Sequence, residues 1–180
     1  MSTMMWTVGE QQRDVVERII EQWARSRPDV DVSPIEIIGR ISRASRIIDQ
    51  RLGSNFAEHG IEAWMYDVLA TLRRIGAPHE LTAGDLVRQT MVTTGAMTNR
   101  IDRLEERGYV ERVASTVDRR SVTVRLTRSG VEKVDQVATS HYELERSLLD
   151  ALTPSRRADL QRSLRILLIS LGDTDMTSSP

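Results

Sequence analysis

A change in the spacing of hydrophobic residues after Gly108 constrains what this chain can fold into. Before Gly108 and after Thr127, apolar residues recur every three or four positions, which is the period of an α-helix. Between them, Val122, Val124 and Leu126 alternate with polar residues, which is the period of a strand. Glycine and proline, the residues that interrupt helices, supply only 10 and 5 of the 180 residues. The pattern predicts a mainly α-helical protein with one short β-hairpin.

Helices are predicted on both sides of the hairpin. They cover residues 10–25, 33–60, 61–75, 127–152 and 153–171. In the middle of the chain, a short helix from Thr82 and a second one ending at Arg107 are separated by a break at residues 90–93. Two short helices joined by a tight turn are typical of a helix-turn-helix. The order of elements predicts a winged helix-turn-helix, with the hairpin as the wing, flanked by N-terminal and C-terminal helices.

This order divides the chain into five predicted segments. They are a flexible N-terminus at 1–9, N-terminal helices for dimerisation and a ligand cleft at 10–60, the winged helix-turn-helix at 61–130, C-terminal dimerisation helices at 131–171 and a flexible tail at 172–180. The apolar stripes of the flanking helices exceed what a small winged helix can cover, so we expect them to bury each other in a homodimer. Packing of these helices on their own domain is the alternative.

Composition and spacing exclude several classes of protein. The chain has no cysteine, which excludes disulfides, thiolate metal sites and catalytic thiols. The three histidines share no metal-ligand spacing, and neither a phosphate loop nor a nucleophile elbow is present, so we expect no enzyme activity, metal or cofactor. No segment reaches the roughly 18 apolar residues that a membrane span needs, and no signal peptide opens the chain. We therefore expect a soluble, cytoplasmic protein without a membrane partner.

The second helix of the helix-turn-helix carries candidate DNA-reading residues. Residues 82–130 contain nine arginines against six acidic residues, although the whole chain has a net charge of −1. On a helical wheel, Met97, Ile101 and Leu104 share the side predicted to be buried. The residues at the start of the opposite side are small and polar, as direct contact with DNA bases requires. The predicted DNA contacts on this helix are Thr94, Gly95, Thr98, Asn99 and Arg103. Asp102 and Glu106 on the same arc would repel phosphate unless they point away, so a merely solvated helix face stays open.

The predicted hairpin tip carries Asp118-Arg119-Arg120, in which an arginine can enter a narrow minor groove while the aspartate braces it. This run precedes Leu126-Thr127-x-x-Gly130 and follows Gly95-Ala96-Met97-Thr98-Asn99-Arg100-Ile101-x-x-Leu104-x-x-x-Gly108. Together these motifs resemble the MarR family of bacterial winged-helix regulators, over roughly residues 33–171. The resemblance implies a homodimeric repressor that binds a pseudo-palindromic operator in double-stranded DNA and releases it when a small molecule binds. Without cysteine, the thiol-oxidation branch of that family is excluded.

Polar residues on the third helix suggest a site for that small molecule. Asp67 and Arg74 lie on one flank of the apolar side, but they are about 10.5 Å apart along the axis, too far for a direct salt bridge. Arg100 lies beside the buried stripe of the recognition helix, and Asp67 is its natural partner. A ligand that displaces Asp67 would then move the helix that contacts DNA, which provides the coupling that a switch requires.

An additional N-terminal helix with Trp23 is similar to that of the PecS-like, urate-responsive branch of the family. The resemblance implies that Trp23 and Arg74 hold a flat, anionic purine such as urate, while Asp67 and Arg100 relay its presence. An indole can stack on a planar ring and a guanidinium can bind its charge. The residues alone leave open a Trp23 that only packs, a solvated Arg74 and a purely structural Asp67 ion pair.

Trp64 leaves the identity of the ligand open, because a bulky side chain so close to Asp67 would narrow the site. The alternatives to urate are a phenolic or other carboxylate ligand, or no small molecule at all. A protein-interaction module without DNA binding is a third interpretation. It would lack the steep dependence on salt that phosphate contacts produce.

Overall fold

The computed structural model describes residues 12–90, 92–114 and 122–174, and shows a winged helix with additional helices at both ends. Its helices are α1 (Val15–Ser26), α2 (Ile35–Glu58), α3 (Ala63–Arg74), α4 (Ala83–Thr90), α5 (Thr94–Glu106), α6 (Arg128–Leu148) and α7 (Pro154–Ser170). Its strands are β1 (Glu80–Thr82), β2 (Val110–Ala114) and β3 (Val122–Leu126). The predicted mainly helical winged helix-turn-helix is therefore confirmed.

The chain forms two compact units. One joins the N-terminal part of the chain, up to Glu36, with the C-terminal part from Glu145, and the other contains Ile37–Leu144. The second unit holds the helix-turn-helix of α4 and α5, the three strands and α3. No helix in the described part of the chain is long and apolar enough to cross a membrane.

The core of the second unit lies where α3, α4 and α5 meet the sheet. The predicted inward stripe of α5 is confirmed, since Met97, Ile101 and Leu104 are at most 2% exposed. Leu86 of α4 and Val124 of β3 are equally buried. Each side chain of this size stabilises the fold by about 1.5–3 kcal/mol when fully buried, which fixes the orientation of α5. The opposite face of α5 must therefore point away from the core.

The sheet has one strand that the sequence did not predict. Its order is β1-β3-β2, and both pairings are antiparallel, with Leu81 opposite Val124 and Arg112 opposite Val124 on the other edge. β1 has only three residues, too few to show an alternating pattern. Its last residue, Thr82, also caps α4, since the hydroxyl accepts a hydrogen bond from the N–H of Asp85 at 3.1 Å.

The end of α5 sets where the wing begins. The helix ends at Glu106, one residue before the predicted Arg107, which forms the C-cap, and Gly108 follows at φ +70°. A left-handed backbone of this kind favours glycine because it lacks a Cβ. The N–H of Tyr109 then donates to the carbonyl of Leu104 at 3.0 Å, which closes the helix and directs the chain into β2.

Candidate functional site

The outward arc of α5 presents four of the residues predicted to contact DNA. These exposed residues of the first two turns are Thr94, Gly95, Thr98 and Asn99. The hydroxyl of Thr93 caps the helix by accepting a hydrogen bond from the N–H of Ala96 at 3.3 Å, and the first turn contains no acidic residue. Small polar groups at the positive end of a helix dipole suit contact with a polyanion.

Arg103, the fifth predicted residue, points along a different flank of α5. Its Nη2 donates to Glu62 Oε1 at 2.7 Å, and its guanidinium lies 4.7 Å from the centre of the Trp64 ring. Trp64 Nε1 also donates to Glu62 Oε2 at 2.8 Å, and this bond, together with the charge of Arg103, lowers the pKa of Glu62. Arg103 therefore binds the start of α3 in this structure, and its contact with DNA stays a prediction.

Two of the three acidic residues of α5, Asp102 and Glu105, are neutralised from the wing. Arg112 of β2 donates to Asp102 Oδ1 at 2.5 Å and also forms an ion pair with Glu105. The backbone N–H of Arg112 donates to the other Glu105 oxygen at 3.1 Å. Asp102, which the sequence places on the DNA-reading arc, is thus held by a cation beside the helix. The predicted wing-tip residues Arg119 and Arg120 lie outside the described residues.

A second cluster joins α3 to the recognition helix behind the arc. The expected Asp67–Arg100 pair is present, with 3.7 Å between Arg100 Nη1 and Asp67 Oδ2. Nη1 is buried, and among the described residues it has no hydrogen-bond partner. The Arg100 guanidinium also lies 5.8 Å from the centre of the Trp64 ring. Because the pair exceeds hydrogen-bond distance, a ligand anion that bonded Nη1 directly would displace a weak competitor.

Burial raises the pKa of the Asp67 carboxyl, and the positive charges of Arg100 and then Arg74 oppose that shift. Arg74 exerts only a long-range effect, because its Nη2 donates to Gln89 Oε1 of α4 at 2.9 Å. The neighbouring Arg73 instead binds Asp135 of α6, with a contact of 2.8 Å. Asp67 is therefore a carboxylate that its surroundings stabilise incompletely.

Trp23, the remaining predicted ligand residue, lies on α1 in the first unit. It is 45% exposed, and its carbonyl accepts the hydrogen bond from the N–H of Arg27 that ends the helix. The sequence predicts the contact between Asp67 and Arg100, but it does not predict that Gln89 binds Arg74 or that Arg100 and Arg103 lie over the Trp64 ring. The contact of Trp64 with two arginines of a facing helix produces no pattern in the local sequence. It can therefore be found only from the three-dimensional structure.

Asp67→Asn should leave the protein as stable as the wild type or slightly more stable at pH 7. A carboxyl with a raised pKa in the folded state costs free energy when ionised, and the cost disappears as the pH falls through that raised pKa. Since Asp67 is half-exposed, the gain should stay below about 1 kcal/mol. Urea unfolding at pH 7 and near pH 3.5 measures it, and the two proteins should converge at the lower pH.

Asp135→Asn is the matched control, because it removes a carboxylate that binds Arg73 through two contacts of 2.8 and 3.1 Å. It should be neutral or slightly destabilising. A clear loss of stability in Asp67→Asn at pH 7, larger than that of the control, would show that Asp67 is a structural ion-pair partner.

Neither cluster is a metal centre on the described residues. These residues contain no group of three or more histidine, cysteine or acidic side chains that could hold a metal ion. The two clusters instead contain guanidinium groups, an indole and the carboxyl of Asp67, whose pKa is raised by burial. Guanidinium groups and an indole can interact with planar anions through charge and stacking.

A winged helix whose recognition helix exposes small and polar residues is typical of a class of DNA-binding proteins. The sequence model described as the MarR family matches residues 59–121. The HTH-type transcriptional regulator PecS of Dickeya dadantii is 38% identical over 149 residues, which cover 83% of this chain and 90% of PecS. This chain therefore belongs to the MarR family of transcriptional regulators.

Solved structures agree with this assignment. A mutant of Escherichia coli MarR in complex with operator DNA is 29% identical, with a TM-score of 0.67 over 77% of this chain and 99% of that one. AbsC, a MarR family transcriptional regulator from Streptomyces coelicolor, is 22% identical with a TM-score of 0.72 over 81% and 99% of the two chains. The latter similarity shows the fold alone.

Proposed function

We propose that this protein is a homodimeric repressor that binds a pseudo-palindromic operator and is released by a small planar anion, with urate as the first candidate. The observation that carries the proposal is the loose Asp67–Arg100 pair, because Arg100 lies on the same helix as the predicted DNA contacts. The similarity to PecS supports the same branch of the family. A phenolic or other carboxylate effector is the second candidate, favoured by the bulk of Trp64.

The DNA-binding part of the proposal depends on α5 and the wing. The outward residues of α5 enter the major groove, and the arginines of the hairpin tip reach the minor groove beside it. The proposed contacts are Thr94, Gly95, Thr98, Asn99, Arg119 and Arg120. Arg103 joins them only if it leaves Glu62, which lies 2.7 Å from it.

The release step follows from competition for Arg100. An anion between α3 and α5 bonds the buried Nη1 of Arg100, and Arg74 adds a second positive charge at the end of α3. Asp67 then loses the partner that offsets its burial, so the two helices favour a different spacing. Because the base-reading residues are on α5, a shift of that helix lowers the affinity for DNA.

The proposal of a homodimer depends on apolar helix faces that remain exposed in a single chain. α7 contains no buried residue, although Leu160, Leu168 and Ile169 are 43%, 48% and 50% exposed. In the second unit, residues 41–50 of α2 are all exposed, including Ile47 and Ile48. Helices with apolar stripes of this kind are stable when a partner covers them, and a second copy is the partner proposed here.

Arg74→Ala should keep operator affinity within about twofold and abolish the response to urate, because Arg74 is not among the proposed DNA contacts but its charge acts on Asp67. Fluorescence anisotropy with DNA from upstream of the gene measures both quantities. Urate, xanthine and salicylate are titrated in parallel. Arg73→Ala is the matched control, since the neighbouring guanidinium binds Asp135 instead and its loss should leave the response intact.

Three results would contradict the proposal at different levels. If salicylate releases the protein from DNA and urate does not, the effector is a phenolic compound and not a purine. An Arg74→Ala variant that still responds to urate removes this residue from the site. Binding to DNA that does not weaken with salt contradicts phosphate recognition itself, because released counterions give a steep negative slope.

A further inference from the structure

The recognition helix carries two carboxylates, Asp102 and Glu105, whose negative charge is compensated by Arg112 of the wing. Asp102 lies four positions after Thr98, so its carboxylate is one helical turn from a predicted DNA contact. Glu105 lies three positions further on the same side. Side chains of Asp102 and Glu105 are 50% and 39% exposed, so neither is removed from solvent by burial. Two uncompensated carboxylates at this place would repel the phosphates of a duplex.

Arg112 contacts both carboxylates at once. One guanidinium nitrogen lies 2.5 Å from Asp102 Oδ1, the other pairs with Glu105 Oε2, and the residue's own backbone N–H reaches Glu105 Oε1 at 3.1 Å. These bonds raise the pKa of Arg112, chiefly through Asp102, which accords with strong pairing. A lysine offers one compact charge, whereas the planar fork of arginine can serve two carboxylates.

We infer that Arg112 is a positioning residue for DNA binding, which acts by neutralising Asp102 and Glu105 and does not itself contact DNA. Its strand places it beside the recognition helix, because the pairing of Arg112 with Val124 sets β2 in the sheet that packs on α5. Without the guanidinium, two negative charges lie beside the outward arc within a Debye length of the duplex, which is about 10 Å at 0.1 M salt. The inference rests on DNA binding and is independent of any effector.

Arg125 provides a matched control in the neighbouring strand. It also spans two carboxylates, at 2.9 Å from Glu111 and 3.9 Å from Glu80, but all three residues belong to the sheet. Side chains of Arg112 and Arg125 are 33% and 40% exposed, so their removal should disturb folding to a similar extent. In the part of the chain that the structure describes, Arg112 connects the sheet to acidic residues of α5, whereas Arg125 does not.

The test measures operator affinity by anisotropy at 0.1 M salt for Arg112→Gln and Arg125→Gln, with thermal unfolding as a check on folding. Arg112→Gln should weaken binding on the order of tenfold, and Arg125→Gln by at most about twofold. Adding Asp102→Asn and Glu105→Gln to the Arg112→Gln variant should restore affinity to within about threefold of wild type. The deficit of Arg112→Gln should also shrink when salt is raised, because the repulsion is screened.

Each alternative result overturns the inference. Wild-type affinity in Arg112→Gln means that the two carboxylates do not oppose DNA binding. Equal losses in Arg112→Gln and Arg125→Gln point to general weakening of the sheet. A triple variant that binds as weakly as Arg112→Gln shows that Arg112 acts through something other than the charges of Asp102 and Glu105, since amides at these two positions do not repel phosphate.

Discussion

Leu168→Glu should convert the proposed homodimer to single chains and lower operator affinity by at least about 100-fold. Leu168 is half-exposed on α7 and lines an apolar cleft of about 860 Å³ together with Leu149, Leu160 and Leu164. A carboxylate placed there must lose its hydration when a partner helix covers the cleft, and this cost opposes the packing of that helix. Because the proposed dimer holds two recognition helices on two half-sites, separation removes the gain from binding both together.

Light scattering should give a mass close to the 20.4 kDa of one chain for Leu168→Glu. Ser163→Glu is the control, because it adds the same charge to an exposed position on a different side of α7. It should remain dimeric and bind DNA normally. A Leu168→Glu variant that stays dimeric contradicts the use of this cleft, whereas a monomer that still binds the operator tightly contradicts the two-half-site scheme.

What the sequence could predict depended on how local the determining interactions are. The buried stripe of α5 and the position of Gly108 follow from spacing within one helix, and both are confirmed. The Asp67–Arg100 pair could be anticipated for the same reason, since each residue's side of its own helix restricts its partners. The short strand β1 could not, because three residues acquire their strand conformation from pairing with β3.

In the candidate site, the contacts that could not be predicted from the sequence are mainly those between different helices and strands. The helical angle of Arg103 predicts a place on the DNA-reading arc, yet in the structure Arg103 binds Glu62 and lies over the Trp64 ring, residues about 40 positions earlier in the sequence. Arg112 and Glu105 are only seven residues apart, but the turn at Gly108 is what brings them together. A long, flexible arginine side chain selects its partner in three dimensions, so its position on a helix specifies its surroundings only loosely.

Gly130→Ala should reduce the free energy of unfolding by about 3 kcal/mol, because this glycine lies where the start of the wing crosses the start of α6. A Cβ on residue 130 would lie 2.0 Å from the carbonyl oxygen of Tyr109 and 3.0 Å from its carbon. Both atoms are backbone and cannot rotate away. The same carbonyl accepts the N–H of Thr127 at 3.1 Å, while Thr127 Oγ1 donates to Gly108 at 2.7 Å and caps the N–H of Gly130 at 3.1 Å.

Relief of that overlap must therefore move the wing away from α6 and break the cap, so the physical role of the Leu126-Thr127-x-x-Gly130 motif is to permit this close crossing. Gly53→Ala is the matched control, because Gly53 lies inside α2 and a Cβ there meets nothing within 4 Å. It should stabilise the protein by about 0.4–1 kcal/mol through reduced freedom of the unfolded chain. Urea unfolding of the two variants should give shifts of opposite sign. If Gly130→Ala unfolds at the wild-type midpoint, the crossing is looser than the structure shows and the wing is not held by α6.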